Sequence, residues 1–558
     1  LKLGKVALFA LIGVGLAAFW LLPVFSALLE SKASAGSTFA WSWNSVNDLV
    51  AMPQKFILGS FGEKEWGDSK ALPQLFIGGL GLFGLCTFFA KREITLRKKL
   101  AATVVLLVLL LSFSIQGSDQ IWHMGQRPVG FYFRNSWVAN SFMLVLASES
   151  LMQWKDEFRL NEFLVAIFGF GSILVLSTLR SLQYVETSQK ILAFIIWTII
   201  LLAFFFRRAE RVRRLQLTAG VVIVELMVSS FVGFRRAPYF IGNAGLKEQM
   251  EFAIAFDKEG YSYQSTFTRM EMHKGLSHAN FPIAFGYNGA SHFTSSLEHE
   301  LIEEMSHLGL PTSQSVANYT DRNVILDSLF GVSRFMMDGD EKRVYADVRG
   351  MYAKEGTMKN FTVYRNPYAF SLGYLTNENT ATNIAFEKNQ PVANLNQLLQ
   401  VIGLSGTNAL TEVNVGEPVT TNLTKGQEKY TLTNEAEPAK IEWKFNLQPN
   451  KLYFVEIPER QAGSVIKSQV MLNGIGYPYE NRFHENQLWT IGNGNLDQML
   501  TFAIENAKVK EWDLRGFKFY SIDITTLANA LTQYKKANDI TIDAYSNAMV
   551  KAHVTVTN

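Results

Sequence analysis

The chain has 558 residues, of which 48% are hydrophobic and 18% charged, and its net charge is +3. So small a charge gives nucleic-acid binding no support, and the single cysteine, Cys86, excludes an internal disulfide. Apolar residues concentrate before residue 235, which predicts a membrane part followed by a large water-soluble part.

Long apolar runs dominate the first part of the chain. A helix rises ~1.5 Å per residue and needs about 20 residues to cross a hydrocarbon core of ~30 Å. On this basis the sequence predicts seven transmembrane spans, at 6–29, 71–90, 100–118, 135–154, 163–179, 191–206 and 215–234.

The distribution of lysine and arginine predicts the orientation of these spans. If the first residues are cytoplasmic, the inner segments hold 14 Lys and Arg in 30 residues, and the outer loops hold 8 in 68. Short cytoplasmic loops retain positive charge. An odd number of spans then places everything after residue 234 outside the cell, in a multi-pass arrangement.

The second half divides by its pattern of residues. The segment 235–400 mixes strand-like and helical runs and predicts an extracytoplasmic α+β domain, after a transmembrane region at 1–234. From 401 to 558, alternating runs such as 451–457 and 517–524 are separated by turns and predict an antiparallel β-sandwich. The chain starts at Leu1 and ends at Asn558, so we expect a C-terminal or internal piece of a longer protein.

The outer loop 119–134 holds the strongest candidates for chemistry. It brings Asp119, His123, Arg127 and Arg134 to the predicted membrane face. Arginine forks match phosphate oxygens, so the loop is suited to an anionic lipid headgroup. The alternative is that these side chains snorkel and pair with one another.

Three other features allow a structural or a functional interpretation. Glu225, deep in the seventh predicted span, is costly unless it faces protein or water, and is a functional candidate for that reason. Glu149 lies near a span end and can snorkel. The pattern Gly79-Leu-Gly81-Leu-Phe-Gly84 fits a dinucleotide motif, but inside a span it favours close helix packing. No residue spacing forms a zinc signature, and we assign no metal ligands.

Several segments resemble the bacterial YfhO family of membrane proteins over essentially the whole chain. They are Phe19-Trp-Leu-Leu-Pro23, Pro73-Gln-Leu-Phe-Ile-Gly78, Phe133-Arg134-Asn-Ser136, Tyr287-Asn-Gly-Ala-Ser-His-Phe-Thr-Ser295-Ser296, Leu326-Asp-Ser-Leu-Phe-Gly-Val-Ser333, Tyr364-Arg-Asn366 and Phe386-Glu-Lys-Asn-Gln390. Each is weakly specific, and their order and spacing carry the resemblance.

The resemblance implies a GT-C-type glycosyltransferase of Gram-positive bacteria. Such an enzyme takes a sugar, for example N-acetylglucosamine, from a polyprenyl-phosphate carrier and adds it to lipoteichoic acid or another wall polymer. The family's catalytic carboxylate is expected upstream of residue 1. Within this chain Arg127, Arg134 and His123 are then the candidates for the donor phosphate, and Asp119 is a weaker catalytic candidate. No cofactor is implied with certainty, and a divalent metal stays open.

Two other functions fit the same residues. A lipid-linked-sugar transporter or its subunit would also use many spans and Glu225. A non-catalytic scaffold that binds wall polymer would need only the outer domain and an anchor, and seven spans exceed what anchoring requires.

Overall fold

A computed structural model of the chain describes most of its residues. Described are residues 2–30, 41–62, 65, 71–123, 125, 132–153, 159–180, 182, 185–205, 211–236, 243–261, 267–273, 280–294, 297–312, 316–320, 322–338, 345–376, 383–426, 429–458, 468–479, 485–506, 511–512, 514–546 and 549–554. The chain forms two compact units, one of residues 36–242 and one of residues 243–558 together with 1–35. The domain boundaries at 234 and 400 stay predictions.

Helices make up the unit 36–242, which we call the helical unit. They are α2 (Gly78–Ala90), α3 (Leu96–Ser112), α4 (Gln116–Trp122), α5 (Trp137–Met152), α6 (Leu160–Leu179), α7 (Thr187–Phe205) and α8 (Arg211–Arg236), with 3-10 turns at Met52–Phe56 and Arg134–Ser136. The first helix of the chain, α1 (Lys2–Glu30), precedes them in the other unit.

Four of the described helices are long and apolar enough to cross a membrane. They contain Ala7–Ala27, Leu160–Leu179, Thr187–Phe205 and Gln216–Arg236. The runs predicted at 71–90, 100–118 and 135–154 also form helices, but these have 13, 17 and 16 residues. At ~1.5 Å per residue they reach only about 20–26 Å, so the predicted number of seven spans is not confirmed.

Hydrogen bonds at the helix ends show that the helices of this unit alternate in direction. At one end, Lys98 in the first turn of α3 pairs with Glu149 near the end of α5 at 2.5 Å. At the other end, Asn140 in the first turn of α5 donates to the carbonyl of Gln74, just before α2, at 3.0 Å. We call these the Lys98 end and the Asn140 end. The segment 41–62 lies at the Asn140 end, where it contacts the end of α3 and the start of α7.

The glycine pattern of α2 serves helix packing, as the sequence predicted. A Cβ at Gly84 would lie 2.9 Å from the backbone oxygen of Ala147 on α5. A Cβ at Gly79 would lie 2.7 Å from the Trp197 ring on α7. Small residues let helices approach this closely, and no dinucleotide-binding strand precedes the motif among the described residues.

The unit 243–558, which we call the strand-rich unit, contains the remaining elements. Its helices are α9 (Asn243–Lys258), α10 (Phe281–Phe285), α11 (His299–His307), α12 (Val324–Leu329), α13 (Ala346–Met351), α14 (Pro391–Val401) and α15 (Ile524–Asn538), with a 3-10 turn at Gly406–Asn408. Its strands are β1 (Arg269–His273), β2 (His292–Phe293), β3 (Val316–Ala317), β4 (Val332–Asp338), β5 (Ala353–Met358), β6 (Phe361–Arg365), β7 (Thr411–Val413), β8 (Val419–Thr421), β9 (Leu423–Lys425), β10 (Tyr430–Leu432), β11 (Ala439–Asn446), β12 (Lys451–Ile457), β13 (Ser468–Leu472), β14 (Ile475–Tyr479), β15 (Gln487–Asn493), β16 (Met499–Asn506), β17 (Glu511–Trp512), β18 (Lys518–Asp523), β19 (Thr541–Ser546) and β20 (Met549–His553).

These strands form several small sheets. One has the order β1-β4-β6-β5, with β1 and β4 parallel. Two antiparallel sheets have the orders β14-β13-β16-β11-β8 and β15-β12-β18-β7, and side chains from both enter one buried cluster around Trp443 and Phe502. The strand-rich character predicted for the second half is therefore present.

Strand β12 is buried on both faces. Leu452 and Phe454 pack into a cluster with helices such as α12 and α14, whereas Tyr453 and Val455 pack into the cluster between the two antiparallel sheets. Successive strand residues point to opposite faces, so this strand joins two cores.

Helix α15 lies within the region predicted as β-sandwich, and the sequence prediction missed it. The Asp523 side chain caps its start by accepting a hydrogen bond from Thr526 N at 2.8 Å. Leu527 and Leu531, one turn apart, are fully buried. The cap and this spacing are typical of a helix, and the alternating strand just before it obscured them.

Candidate functional site

The predicted loop residues come together at the Asn140 end of the helical unit. Asp119 lies on the short helix α4, His123 follows its last turn, and Arg134 opens the 3-10 turn that leads into α5. Helix α4 continues from the end of α3 through Ser114 and Ile115, whose backbone contacts the segment 41–47. Arg127 lies outside the described residues.

Asp119 and His123 form a mostly buried pair. Their side chains are 6% and 11% exposed, and His123 Nε2 lies 3.7 Å from Asp119 Oδ1. Burial lowers the pKa of His123 from its usual 6.5, and the positive charge of Arg134 lowers it further. The imidazole is therefore neutral at pH 7, so it can both donate and accept a proton.

Arg134 is exposed and held by a strained backbone. The residue before it, Phe133, is buried and has φ 55°, a left-handed conformation that a bulky side chain rarely adopts. Such strain costs of order 1–3 kcal/mol and persists only where the surroundings impose it. Among the described residues no carboxylate lies within 4 Å of the Arg134 guanidinium, which leaves it available for an anion.

A buried amide completes the cluster. Asn135 is 9% exposed, and neither its Oδ1 nor its Nδ2 has a hydrogen-bond partner in the described part of the chain. A buried polar side chain without a partner costs about 1–3 kcal/mol, so such a group is suited to bind a ligand. Asp119, His123, Arg134 and Asn135 together form what we call the loop site.

Glu225 has a structural role. Both its carboxylate oxygens accept from Gly79 N, at 2.9 and 2.8 Å, and its side chain is buried. The first amides of a helix have no partner within the helix, so Glu225 of α8 caps the start of α2. Glu149 pairs with Lys98 at the partly exposed Lys98 end, at 2.5 Å.

Sequence reasoning missed a buried ion pair at the Asn140 end. Lys55 Nζ donates to Glu65 Oε1 at 2.5 Å and to the Ser60 carbonyl at 2.7 Å, with the two side chains 0% and 5% exposed. Burial lowers the pKa of Lys55 from 10.5 to about 8, although Glu65 opposes the shift. The available signal was a lysine directly before the apolar run 56–58.

Glu65 connects this pair to the segment that precedes α2. Its Oε2 accepts from Gly62 N at 2.9 Å and from Gln74 Nε2 at 3.3 Å. Both members of the ion pair therefore have further hydrogen-bond partners. Buried ion pairs with such partners are typical of structural contacts, and this one holds the loop against the segment before α2.

Metal ligands do not cluster within the described ranges. No three His, Cys, Asp or Glu side chains there are placed to share one ion. The loop site therefore offers charge and hydrogen bonds from Arg134, His123, Asp119 and Asn135.

Apolar helices long enough to span a bilayer, followed by a strand-rich unit, define the class as a membrane protein. The chain belongs to the family described as bacterial membrane protein YfhO, whose family model matches residues 1–558. No curated protein and no solved structure matches the chain. The resemblance found in the sequence is confirmed at the level of the family.

Proposed function

We propose that the protein is a GT-C-type membrane glycosyltransferase that moves a sugar from a polyprenyl-phosphate donor to a wall polymer such as lipoteichoic acid. The observation that carries the proposal is Arg134, an exposed guanidinium held by strained backbone beside the neutral His123. An exposed arginine at a helix end, with no carboxylate partner among the described residues, is suited to a lipid-borne phosphate.

The proposal includes a multi-pass topology with the loop site outside the cell. The Lys98 end carries Lys91, Arg92, Arg97, Lys98 and Lys99, whereas the loop site lies at the Asn140 end. Positive charge on short loops favours the cytoplasmic side, so the Lys98 end is assigned inside and the strand-rich unit outside.

We also infer that the two antiparallel sheets around Trp443 form a β-sandwich. Support comes from the buried cluster to which both sheets contribute. In this proposal the strand-rich unit meets the wall polymer.

In the proposed reaction the bond from the sugar C1 to the donor phosphate breaks while an acceptor hydroxyl oxygen bonds to C1. Arg134, with Arg127, holds the leaving phosphate and stabilises the charge that develops on it. His123 donates a hydrogen bond to the same phosphate. Asp119, 3.7 Å from His123, orients the acceptor hydroxyl and takes its proton as the new bond to C1 forms.

The test compares wall polymers from the bacterium with and without the gene. We expect loss of the gene to remove a sugar substituent from lipoteichoic acid, and an Arg134→Ala gene to fail to restore it. Arg159→Ala is the matched control, because Arg159 is a partly exposed arginine paired with Glu93 at the Lys98 end.

Two results would count against the proposal. Normal decoration with Arg134→Ala at wild-type membrane levels would remove the phosphate-binding role of the loop site. Unchanged polymers after deletion of the gene would reject the transferase and favour a transport subunit or a polymer-binding scaffold.

A further inference from the structure

The strand-rich unit contains a cavity that the proposed reaction does not use. Its volume is about 950 Å³, and β1, the loop 286–292, α10, α11 and the start of β4 form its walls. Ligand pockets of proteins typically measure about 300–1,000 Å³. The cavity is therefore large enough for a ligand of several sugar or polyol units.

Three segments that carry the family resemblance meet at this cavity. Residues 287–292, Phe330 with Ser333, and Phe386 all line it, although they are far apart in the sequence. The segments were recognised from order and spacing alone, and the fold brings them to one place.

Buried polar contacts fix the wall of the cavity. Glu271, fully enclosed behind it, accepts from the backbone amides of Ala290 and Ser291 and from the Ser291 hydroxyl. The Ser291 hydroxyl also accepts from Tyr319 N at 3.2 Å. A wall held in this way is formed before a ligand arrives, which lowers the entropic cost of binding.

Two guanidiniums enter the cavity from neighbouring strands. The register of β1 shifts between Arg269 and Met270, and both residues line the cavity although successive strand residues normally point apart. Met270 lies opposite Arg334 on β4. Arg334 is paired with Glu355 at 2.7 Å.

Arg269 forms no such ion pair among the described residues, although the charge of the nearby Glu271 acts on it. Its Nη1 donates to the Phe330 carbonyl at 2.6 Å, and no carboxylate lies within 4 Å of it among the described residues. The lining side chains include two guanidiniums and one carboxylate, that of Glu304. The cavity therefore has a cationic group available for an anion.

The rest of the lining suits a ligand that is both hydroxylated and partly apolar. Asn288 and His292 supply hydrogen-bonding groups. Ile283 and Leu301, which are 65% and 46% exposed, supply an apolar surface. Few polar groups on an apolar surface are typical of specific small-molecule sites.

We propose that this cavity binds an anionic sugar or polyol unit, with Arg269 contacting its phosphate or carboxylate group. This inference rests on the proposed function, since such a unit would belong to the acceptor polymer or to a lipid headgroup. It assigns acceptor binding to the region 261–386, ahead of the antiparallel sheets.

The test measures binding to the full chain in detergent by calorimetry. The probes are a glycerol-phosphate oligomer, a neutral glucose oligomer and phosphatidylglycerol vesicles. We expect the glycerol-phosphate oligomer to bind, the neutral oligomer to bind at least tenfold more weakly, and affinity to fall with salt. Competition by the vesicles would identify the lipid headgroup as the source, and its absence would identify the polymer.

Two variants address the cavity without a large change in folding. Arg269→Gln and Ile283→Asp should each weaken binding of the oligomer at least tenfold, since one removes the cation and the other adds an anion on an exposed residue. Arg349→Gln is the control, because Arg349 pairs with Asp497 and does not line the cavity. Thermal melting of each variant reports its folding.

Absence of oligomer binding, equal binding of the neutral oligomer, or unchanged binding by Arg269→Gln would overturn the inference. The outcome is separable from that of the transferase proposal. Arg134→Ala should bind the oligomer normally, so oligomer binding by a protein that transfers no sugar would reject the transferase alone.

Discussion

The two units of the molecule differ in where their apolar and charged side chains lie. Most exposed large hydrophobic side chains lie on the helices before residue 237, whereas the strand-rich unit buries its large apolar residues in shared cores. Inside the helical unit, Glu225 is satisfied by a single backbone amide. Inside the strand-rich unit, Arg322 contacts both Asp327 and Asp347.

A lipid environment and a folded core permit buried charges in different places. A helix surrounded by lipid keeps its polar groups at its ends or at the end of a neighbour. A folded unit in water can enclose an arginine if carboxylates and a hydroxyl surround it, as Asp347 and Tyr352 do for Arg322.

The largest effect on stability is expected when Arg322, the buried arginine of the strand-rich unit, is replaced. Arg322→Met leaves Asp327 and Asp347 buried without their cation, which should lower the free energy of unfolding by about 3–5 kcal/mol. The control is Lys429→Met, since the pair of Lys429 with Glu511 is half-exposed and contributes about 0–1 kcal/mol. Denaturant melts of the purified proteins measure both, and equal effects would show that the network contributes little.

A pH dependence should come from Glu271. Burial raises its pKa from 4.5 to about 7, so the folded state holds the proton more tightly than the unfolded state. Its contribution to stability is therefore fully present below about pH 4.5 and falls as pH rises to about 7, by about 3 kcal/mol.

Glu271→Gln cannot ionise and should lose this dependence. Melting temperatures of the wild type and the variant between pH 4.5 and 7.5 test the expectation. A constant difference between the two proteins across that range would contradict it.

In the helical unit, a substitution of Glu225 removes the cap at the start of α2. Glu225→Ala leaves Gly79 N without its acceptor inside the bundle, at an expected cost of about 1–3 kcal/mol. Glu225→Gln retains an oxygen acceptor and should recover part of the loss. If both variants have the melting temperature of the wild type in detergent, the cap is not stabilising. Glu149→Ala, at a partly exposed residue, is the matched control.

The smallest effect is expected from helix packing. Gly84→Ala adds a methyl group 2.9 Å from the Ala147 backbone oxygen, and should cost about 1 kcal/mol as α2 and α5 move apart. Gly171→Ala, where a Cβ would meet nothing within 4 Å, should be neutral or stabilising. Proteolysis rates in detergent compare the two, and equal rates would argue against tight packing at Gly84.

The sequence by itself determined the features that depend on local pattern. Apolar runs predicted the helices, the small-residue pattern predicted the packing of α2, and alternation predicted strands such as β12 and β18. Segment order identified the family. These follow from neighbours along the chain, because helix and strand periods are set within a few residues.

Only the tertiary structure decided which distant residues meet. Gly79 and Glu225 are 146 positions apart, and the two faces of β12 belong to different cores. The sequence likewise could not show that Phe133 adopts a left-handed conformation, or that Glu271 lies behind a cavity wall. Such contacts depend on the path of the whole chain, and many paths satisfy the same local pattern.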